Sequence, residues 1–282
     1  MDELATFNRD RWNALVEAGV AYSRPLLDLT VESARTWVDN EGLLGDVTGK
    51  RVLCLANGGG QQSACFALLG AQVTVLDLSD AQLVKDRQAA THYGVQIETV
   101  QGDMRDLSQF DSQSFDLVAH WYSINFVPDV RQVFAQVARV IKPSGLYKMQ
   151  CSNPHRFGMH DVQPWNGKGY ELIHKYGDGE MMFADANWDV DDAQGKTQRV
   201  VGPREFVHTW STLINGLADH GFVITHFKEY IKPDADPEPG SWAHMTQVMP
   251  PFISFWTAHR PDVFATVKTV GKATPNAMDV GW

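Results

Sequence analysis

Cysteine is scarce in this chain, which limits the redox and metal chemistry to be expected. The 282 residues include only Cys54, Cys65 and Cys151, and no two of them form a CxxC pair. Neither a disulfide framework nor a cysteine-based zinc site follows from such spacing. A reducing compartment fits best, and we predict no metal.

Long apolar runs and a basic leader are also missing. The chain begins MDELATFNRD, which is acidic where a secretory signal is basic. No stretch approaches the ~18 apolar residues that a membrane span requires. We therefore expect a cytoplasmic protein that does not insert into a membrane.

Basic residues are fewer than acidic ones. Lys and Arg total 24 against 34 Asp and Glu, which gives a net charge of −10. The average surface would repel a polyanion, so nucleic acid is a disfavoured partner and a small-molecule substrate is expected. With 44% apolar residues, the composition is that of an ordinary globular protein.

Short β-branched runs alternate with helical patterns from residue 50 onward. This alternation is typical of βαβ units and predicts an α/β protein with a doubly wound parallel sheet. The predicted strands are Arg51–Leu55, Val73–Leu76, Ile97–Val100, Phe115–Ala119 and Leu146–Cys151. The predicted helices are two within residues 6–45, then Ser63–Leu69, Ala81–Tyr93, Val130–Ile141 and Pro203–His220. A final strand, Phe252–His259, is expected to pair with Phe222–Tyr230.

A glycine turn joins the first strand to a helix. The segment Arg51–Ser63 reads RVLCLANGGGQQS and places three glycines, Gly58 to Gly60, after the strand. Glycines let the backbone approach a ligand closely while helix N–H groups face it. Taken alone, the turn fits equally well a βα connection that only requires positive φ.

Acidic residues end the next two strands and distinguish between ligands. Asp77 ends the second strand, a position from which a carboxylate can accept hydrogen bonds from both hydroxyls of a ribose. Asp103 follows the third strand, and a nicotinamide-binding fold does not require it. Ser63 stands where a dinucleotide motif has its third glycine, so the loop is less suited to binding a pyrophosphate.

Four motifs occur in order along this core. They are Val52–Gly60, Val75–Ser79, Gly102–Met104, and Phe115–Val118 continuing to Val127–Asp129. Together they resemble the class I S-adenosylmethionine-dependent methyltransferases, in the small-molecule branch similar to ubiquinone and menaquinone biosynthesis methyltransferases. The resemblance implies a Rossmann-like sheet of seven strands with an antiparallel closing strand, N-terminal helices, a cap insertion and S-adenosyl-L-methionine as cofactor.

The resemblance also implies roles for individual residues. Asp77 would hold the ribose hydroxyls, and Asp103 with Met104 would meet the adenine. Asn57 and the glycines would pass beneath the methionine moiety, with His120 near its amino-acid end. The full set of expected cofactor-binding residues is Tyr22, Asn57, Gly58, Gly59, Gly60, Asp77, Leu78, Gln82, Asp103, Met104 and His120.

Two positions depart from the family's pattern. Cys54 and Ala56 stand where the family commonly has an acid and a first glycine. That acid often anchors the glycine loop or the cofactor's ammonium group. The departures keep open a catalytically silent nucleoside-binding protein, and a nicotinamide-dependent oxidoreductase is the other alternative to a methyltransferase.

These patterns divide the chain into five segments. We predict a helical segment over the cofactor site at 1–47, the cofactor-binding core at 48–151, a cap that binds substrate at 152–200, the closing helix and strands at 201–262, and a tail at 263–282. The cap shows no clear periodicity, and segments of this kind are commonly functional.

The methyl acceptor is expected to be a small organic molecule, methylated at oxygen, nitrogen, carbon or sulfur. If a base is used, His155 and His160 are the first candidates, ahead of His174 and His208, although each is individually more typical of a structural histidine. A metal site formed by His155, His160 and Asp161 is a weaker alternative.

Aromatic residues near the cap suggest where the acceptor binds. Trp121 and Tyr122 after the fourth strand, with Trp165 and Tyr170 in the cap, are the expected substrate contacts. The wider set in the cap is Phe157, Trp165, Tyr170, Tyr176, Phe183 and Trp188. Such a set is compatible with an apolar acceptor pocket, a cage for a cation, or a local core.

Overall fold

The computed structural model describes residues 1–155, 165–172, 175–183, 186–191 and 195–267. The strands in chain order are Arg51–Leu55 (β1), Gln72–Asp77 (β2), Ile97–Gln101 (β3), Phe115–His120 (β4), Ile141–Ser152 (β5), Met181–Phe183 (β6), Asn187–Asp191 (β7), Thr197–Val201 (β8), Glu205–Phe206 (β9), Phe222–Glu229 (β10) and Phe252–His259 (β11). The α-helices are Glu3–Glu17 (α1), Val31–Val38 (α2), Gln62–Leu68 (α3), Asp80–Tyr93 (α4), Val130–Val140 (α5), Trp210–Asp219 (α6), Trp242–Val248 (α7) and Pro261–Val267 (α8). Short 3₁₀ turns cover Ala21–Ser23 and Ser123–Phe126.

The main sheet of the described chain has seven strands in the order β10-β11-β5-β4-β1-β2-β3. Strand β1 lies between β4 and β2 and is parallel to both. Strand β11 is antiparallel to β5 and to β10, with Phe222 opposite His259. The predicted doubly wound sheet with an antiparallel closing strand is confirmed.

Alternating side chains of β1 enter the two cores of the molecule. Leu53 and Leu55 pack on the face covered by α5 and α6, whereas Val52 and Cys54 pack on the face covered by α2 and α3. All four are fully buried, as expected for a central strand with helices on both faces. The carboxyl end of β1 is therefore fixed from both sides of the sheet.

The closing helix begins later than its sequence pattern predicts. The predicted helix Pro203–His220 is wrong in its first half, because Glu205–Phe206 pairs with β6 as strand β9. Helix α6 begins at Trp210, where the Thr209 hydroxyl accepts a hydrogen bond from the backbone N–H of Thr212. The helix therefore begins after the Thr209 N-cap and not at Pro203, which the sequence pattern suggests as a first-turn residue.

The cap and the tail also contain regular structure that the sequence did not predict. Strands β7 and β8 form an antiparallel pair within the segment expected to be irregular. Helix α8 covers the beginning of the predicted tail, while residues 268–282 lie outside the described part of the chain. Among the described residues, no helix has both the length and the apolarity to cross a membrane.

A buried amide is one of the groups that attach helix α1 to the core. The Asn8 side chain donates to the carbonyls of Phe126 and Arg204, at 3.2 and 3.3 Å, and accepts from the Arg204 N–H at 2.9 Å. Asn8 is 1% exposed, so water does not replace these bonds. The amide thus joins α1 to the segment that enters β9.

We expect Asn8→Ala to lower the free energy of unfolding by about 1–3 kcal/mol, because the substitution leaves buried backbone groups without partners. Urea unfolding followed by tryptophan fluorescence measures the change. Asn40→Ala, at an exposed position, is the matched control. Equal losses in the two variants would contradict the role given to Asn8.

Candidate functional site

A cleft of about 650 Å³ opens at the carboxyl ends of β1, β2 and β4. Side chains and backbone from those strand ends line one part of it, namely Ala56, Asn57, Gly58, Asp77, Leu78, Trp121 and Tyr122. The segment 21–26 lines another part, and Leu26 N–H donates to the Gly60 carbonyl at 3.2 Å. Ligands of open α/β sheets bind at this edge, so the cleft is the candidate site.

Asp77 lies in the cleft with its carboxylate held by backbone. Its two oxygens accept from the N–H groups of Gly58 and Ser79, each at 2.9 Å. Burial raises the pKa of Asp77 to about 6, against the lowering effect of these bonds. Each carboxylate oxygen can accept more than one hydrogen bond, so the fixed group has capacity for a ligand's hydroxyls.

A second buried carboxylate, Asp86 of α4, holds the rest of the glycine loop. Asp86 accepts from the N–H groups of Gly59 at 3.0 Å and Gly60 at 3.1 Å, and from the Ser63 hydroxyl. The backbone of Gly60 has φ +72°, and an added Cβ there would lie 2.6 Å from the Lys85 carbonyl oxygen. The loop therefore requires glycine at this position and points two of its N–H groups at Asp86.

Asp86 supplies the anchor that Cys54 cannot. Cys54 is fully buried in β1, and burial raises its thiol pKa well above the usual range, so it stays neutral. The acid that commonly anchors such a loop from the first strand is thus replaced by an acid from the helix that follows β2. The sequence motif gave no sign of this replacement.

Gly58 packs closely against Gln82 and Asp77, and all three residues line the cleft. A Cβ on Gly58 would lie 2.6 Å from the Gln82 Cβ and 3.1 Å from an Asp77 oxygen, so backbone alone fits there. The Gln82 amide oxygen is buried at the cleft without a hydrogen-bond partner among the described residues. An unpartnered buried acceptor indicates a place for a donor from outside the chain.

Asn57 and His120 have structural contacts. The Asn57 side chain donates to the Ala119 carbonyl at 2.9 Å and accepts from Trp121 N–H at 3.2 Å, which joins the loop to the end of β4. His120 is fully buried beside the Tyr147 hydroxyl, 3.0 Å from its Nδ1, and does not line the cleft. Burial lowers the pKa of His120 to about 3, so it is neutral.

Asp103 is engaged by a neighbouring arginine. Its carboxylate binds the guanidinium of Arg105, which also binds Asp2 at the start of α1. Met104 lines the cleft, but Asp103 does not. The adenine contact predicted for Asp103 therefore stays a prediction, and the structure assigns this carboxylate an ion pair.

Six aromatic rings follow one another along the cleft in edge-to-face contacts. Neighbouring ring centroids lie 5.5–6.1 Å apart. We call this set the aromatic wall, and its members in order are Tyr22, Trp188, Trp12, Phe126, Tyr122 and Phe252. Such contacts between rings stabilise an apolar surface in a fixed shape. The wall brings together residues from α1, the 3₁₀ turns, β7 and β11.

A carboxylate lies beside this wall. Glu205 lines the cleft, is 2% exposed, and accepts from the Tyr122 hydroxyl at 2.5 Å. Tyr122 has φ +54°, a conformation that is uncommon for a residue with a side chain. Sequence reasoning placed Tyr122 at the substrate side but missed Glu205, since it lies 83 residues further along the chain.

The other predicted substrate and catalytic residues lie elsewhere or are not described. Trp165 and Tyr170 pack around His244, with the Tyr170 hydroxyl 2.8 Å from its Nδ1, and neither lines the cleft. His155 stacks on Tyr176 at 4.6 Å between ring centroids, also away from the cleft lining.

Several residues named from the sequence lie outside the description. They are Phe157, His160, Asp161, His174 and the Phe183 side chain. Of the remaining cap aromatics, Trp188 reaches the cleft. His208 is buried, with its Nε2 3.2 Å from the Ile124 carbonyl oxygen, and burial lowers its pKa to about 4.

Comparison with known proteins places the chain among methyltransferases. A family model described as "Methyltransferase domain" matches residues 53–149. The "Uncharacterized methyltransferase YbaJ" of Bacillus subtilis is 33% identical over 242 residues, which cover 81% of this chain and 91% of that protein. The "Demethylmenaquinone methyltransferase" of Clavibacter sepedonicus is 34% identical over 161 residues, 56% of this chain and 62% of that protein.

A solved structure shares the fold. The S-adenosylmethionine-dependent methyltransferase from Clostridium acetobutylicum superposes with a TM-score of 0.57 at 15% identity, over 82% of this chain and 92% of that one. At this identity the likeness concerns the fold, and it agrees with the sheet order described above.

Protonation of Asp86 is expected to affect stability in a defined direction. Burial raises its pKa from 3.8 to about 7, so the folded protein retains a proton that the unfolded chain releases. The free energy of unfolding is therefore highest below pH 3.8 and falls as the pH rises from 3.8 to about 7. Asp77 contributes in the same direction, since its pKa is also raised.

Asp86→Asn should keep only the Asp77 contribution, so its thermal midpoint should fall less than that of the unaltered protein over this pH interval. Thermal unfolding at a series of pH values, without added ligand, measures the difference. Asp80→Asn, exposed on the same helix, should follow the unaltered protein. Parallel profiles for Asp86→Asn and the unaltered protein would contradict the assignment.

Proposed function

This chain belongs to the S-adenosylmethionine-dependent methyltransferases, and from that premise we propose that its cleft binds S-adenosylmethionine and a small organic methyl acceptor. When bound, the cofactor supplies a methyl group carried on a sulfonium sulfur. The acceptor atom is an oxygen, nitrogen, carbon or sulfur, and the acceptor is one small enough to share the cleft.

The position of Asp77 carries this proposal. Its carboxylate faces the cleft at the end of β2, and the N–H groups of Gly58 and Ser79 fix its orientation. Two ribose hydroxyls would donate to it, forming hydrogen bonds that are strong because the acceptor is charged. A neutral side chain in this place would offer fewer and weaker acceptors.

Other residues at the same end of the cleft suit the remaining parts of the cofactor. Leu78 and Met104 offer apolar surface next to Asp77, which fits an adenine ring. Gly58 lines the cleft with backbone alone, and the Gln82 amide oxygen has capacity to accept a hydrogen bond. These residues would bind and orient the cofactor.

The aromatic wall supports the proposal of a small-molecule acceptor. Its rings form an apolar surface in the same cleft as Asp77, and pockets of this kind are typical of small organic ligands. Holding the acceptor and the methyl group in line can supply about 7–11 kcal/mol of the barrier reduction through positioning. The net charge of −10 gives no support to a nucleic-acid acceptor.

Titration calorimetry with S-adenosylhomocysteine tests the proposal. We expect saturable binding to the unaltered protein and no heat from NADH. Asp77→Asn should weaken binding about ten- to hundredfold, because hydrogen bonds to a charged group contribute about 1.5–3 kcal/mol.

Asp80→Asn is the matched control, since Asp80 follows three residues later and is exposed. It should bind S-adenosylhomocysteine as the unaltered protein does. Binding of NADH without binding of S-adenosylhomocysteine would contradict the proposal. Unchanged affinity in Asp77→Asn would contradict the role of Asp77.

A further inference from the structure

Glu205 and Tyr122 form a hydrogen-bonded pair inside the cleft. The Tyr122 hydroxyl donates to the Glu205 carboxylate at 2.5 Å, and the Ser152 hydroxyl donates to the same phenol oxygen at 3.2 Å. Both members of the pair line the cleft, and Glu205 is nearly inaccessible to bulk water. The pair therefore places a carboxylate on the wall of the cleft.

Three parts of the fold hold this pair in place. Strand β9 pairs Glu205 with Phe183 of β6, and Asn8 binds both backbone groups of the preceding Arg204. Tyr122 keeps its left-handed backbone conformation between Trp121 and the following 3₁₀ turn. Strained residues concentrate at functional sites when the surrounding structure enforces them.

The pair is adjacent to the cofactor end of the cleft. The Trp121 N–H donates to Asn57 of the glycine loop, so Tyr122 is one residue from that contact. On the other side, the Tyr122 ring contacts Phe126 and Phe252 of the aromatic wall, at 5.9 and 5.7 Å between centroids. An acceptor on the wall would meet both the pair and a cofactor bound beside Asp77.

We propose that Glu205 is the catalytic base, and that the acceptor is an apolar molecule methylated at a hydroxyl group. This rests on the proposed function. The acceptor oxygen forms a bond to the methyl carbon as the bond from that carbon to the sulfonium sulfur breaks. The hydroxyl proton moves to the Glu205 carboxylate, and the sulfur leaves as a neutral thioether, so charge and atoms balance. Tyr122 is a positioning residue that orients the carboxylate.

A cationic ammonium acceptor fits these observations less well. Rings and a carboxylate can bind a cation, but a quaternary ammonium nitrogen has neither a lone pair to accept a methyl group nor a proton to give to Glu205. A neutral hydroxyl has both the lone pair for the methyl carbon and the proton for Glu205. The pair therefore favours the hydroxyl.

A coloured phenol, para-nitrophenol, tests the proposal in the presence of saturating S-adenosylhomocysteine. Absorbance titration reports the apparent pKa of the bound phenol. A neighbouring carboxylate disfavours the phenolate, so this pKa should be raised by about one unit or more relative to the free phenol. Glu205→Gln should abolish the increase, whereas the exposed control Glu229→Gln should retain it.

Calorimetry with S-adenosylhomocysteine separates this proposal from the proposed function. Glu205→Gln, Tyr122→Phe and Glu229→Gln should bind it within about twofold of the unaltered protein. Absence of binding to the unaltered protein would overturn the proposed function. If Glu205→Gln does not fold, Tyr122→Phe tests the pair. The Glu205 carboxylate then loses the hydrogen bond that orients it, so phenol binding should weaken about fivefold or more.

The opposite results would overturn the assignment of Glu205. One is that the phenol does not bind to the unaltered protein when S-adenosylhomocysteine is bound. Another is that the apparent pKa of the bound phenol is the same in Glu205→Gln as in the unaltered protein. A third is that Tyr122→Phe binds the phenol as tightly as the unaltered protein does. Stronger binding of trimethylphenylammonium than of the phenol would also overturn it.

Discussion

Two buried carboxylates bind the backbone of one glycine loop, and the cleft depends on them. Asp77 accepts from Gly58, whereas Asp86 accepts from Gly59 and Gly60. These bonds define which face of the loop is turned toward the cleft. Burying the two carboxylates removes them from water, which costs free energy and raises the pKa of both acids. The loop is stable because its N–H groups are satisfied within the protein.

The two ends of the cleft have different origins in the chain. The proposed cofactor end is built from residues at the carboxyl ends of neighbouring strands, within residues 56–104. The proposed acceptor end combines Trp12, Trp188, Glu205 and Phe252, which come from both terminal parts and the cap. Such a division allows one cofactor site to serve many acceptors by variation of the remote segments, as is typical of widely used folds.

The same division explains how much the sequence could predict. The strands, Asp77 and Gly58 were predictable because they follow a local pattern of strand, turn and helix. Asp86 and Glu205 were not, because each meets its partners through tertiary packing across many residues. Asp103 was assigned from its position in a motif, but its carboxylate accepts from Arg105, which also donates to the distant Asp2. The ion pair between Arg105 and Asp2 joins residues 103 positions apart in the chain, which a local pattern cannot report.

A crystal structure with bound S-adenosylhomocysteine is the most direct test of this account. We expect both ribose hydroxyls within hydrogen-bond distance of the Asp77 carboxylate, and the thioether sulfur facing the side of the cleft that holds Tyr122 and Glu205. Density for the ligand outside this cleft, or a ribose without contact to Asp77, would contradict it.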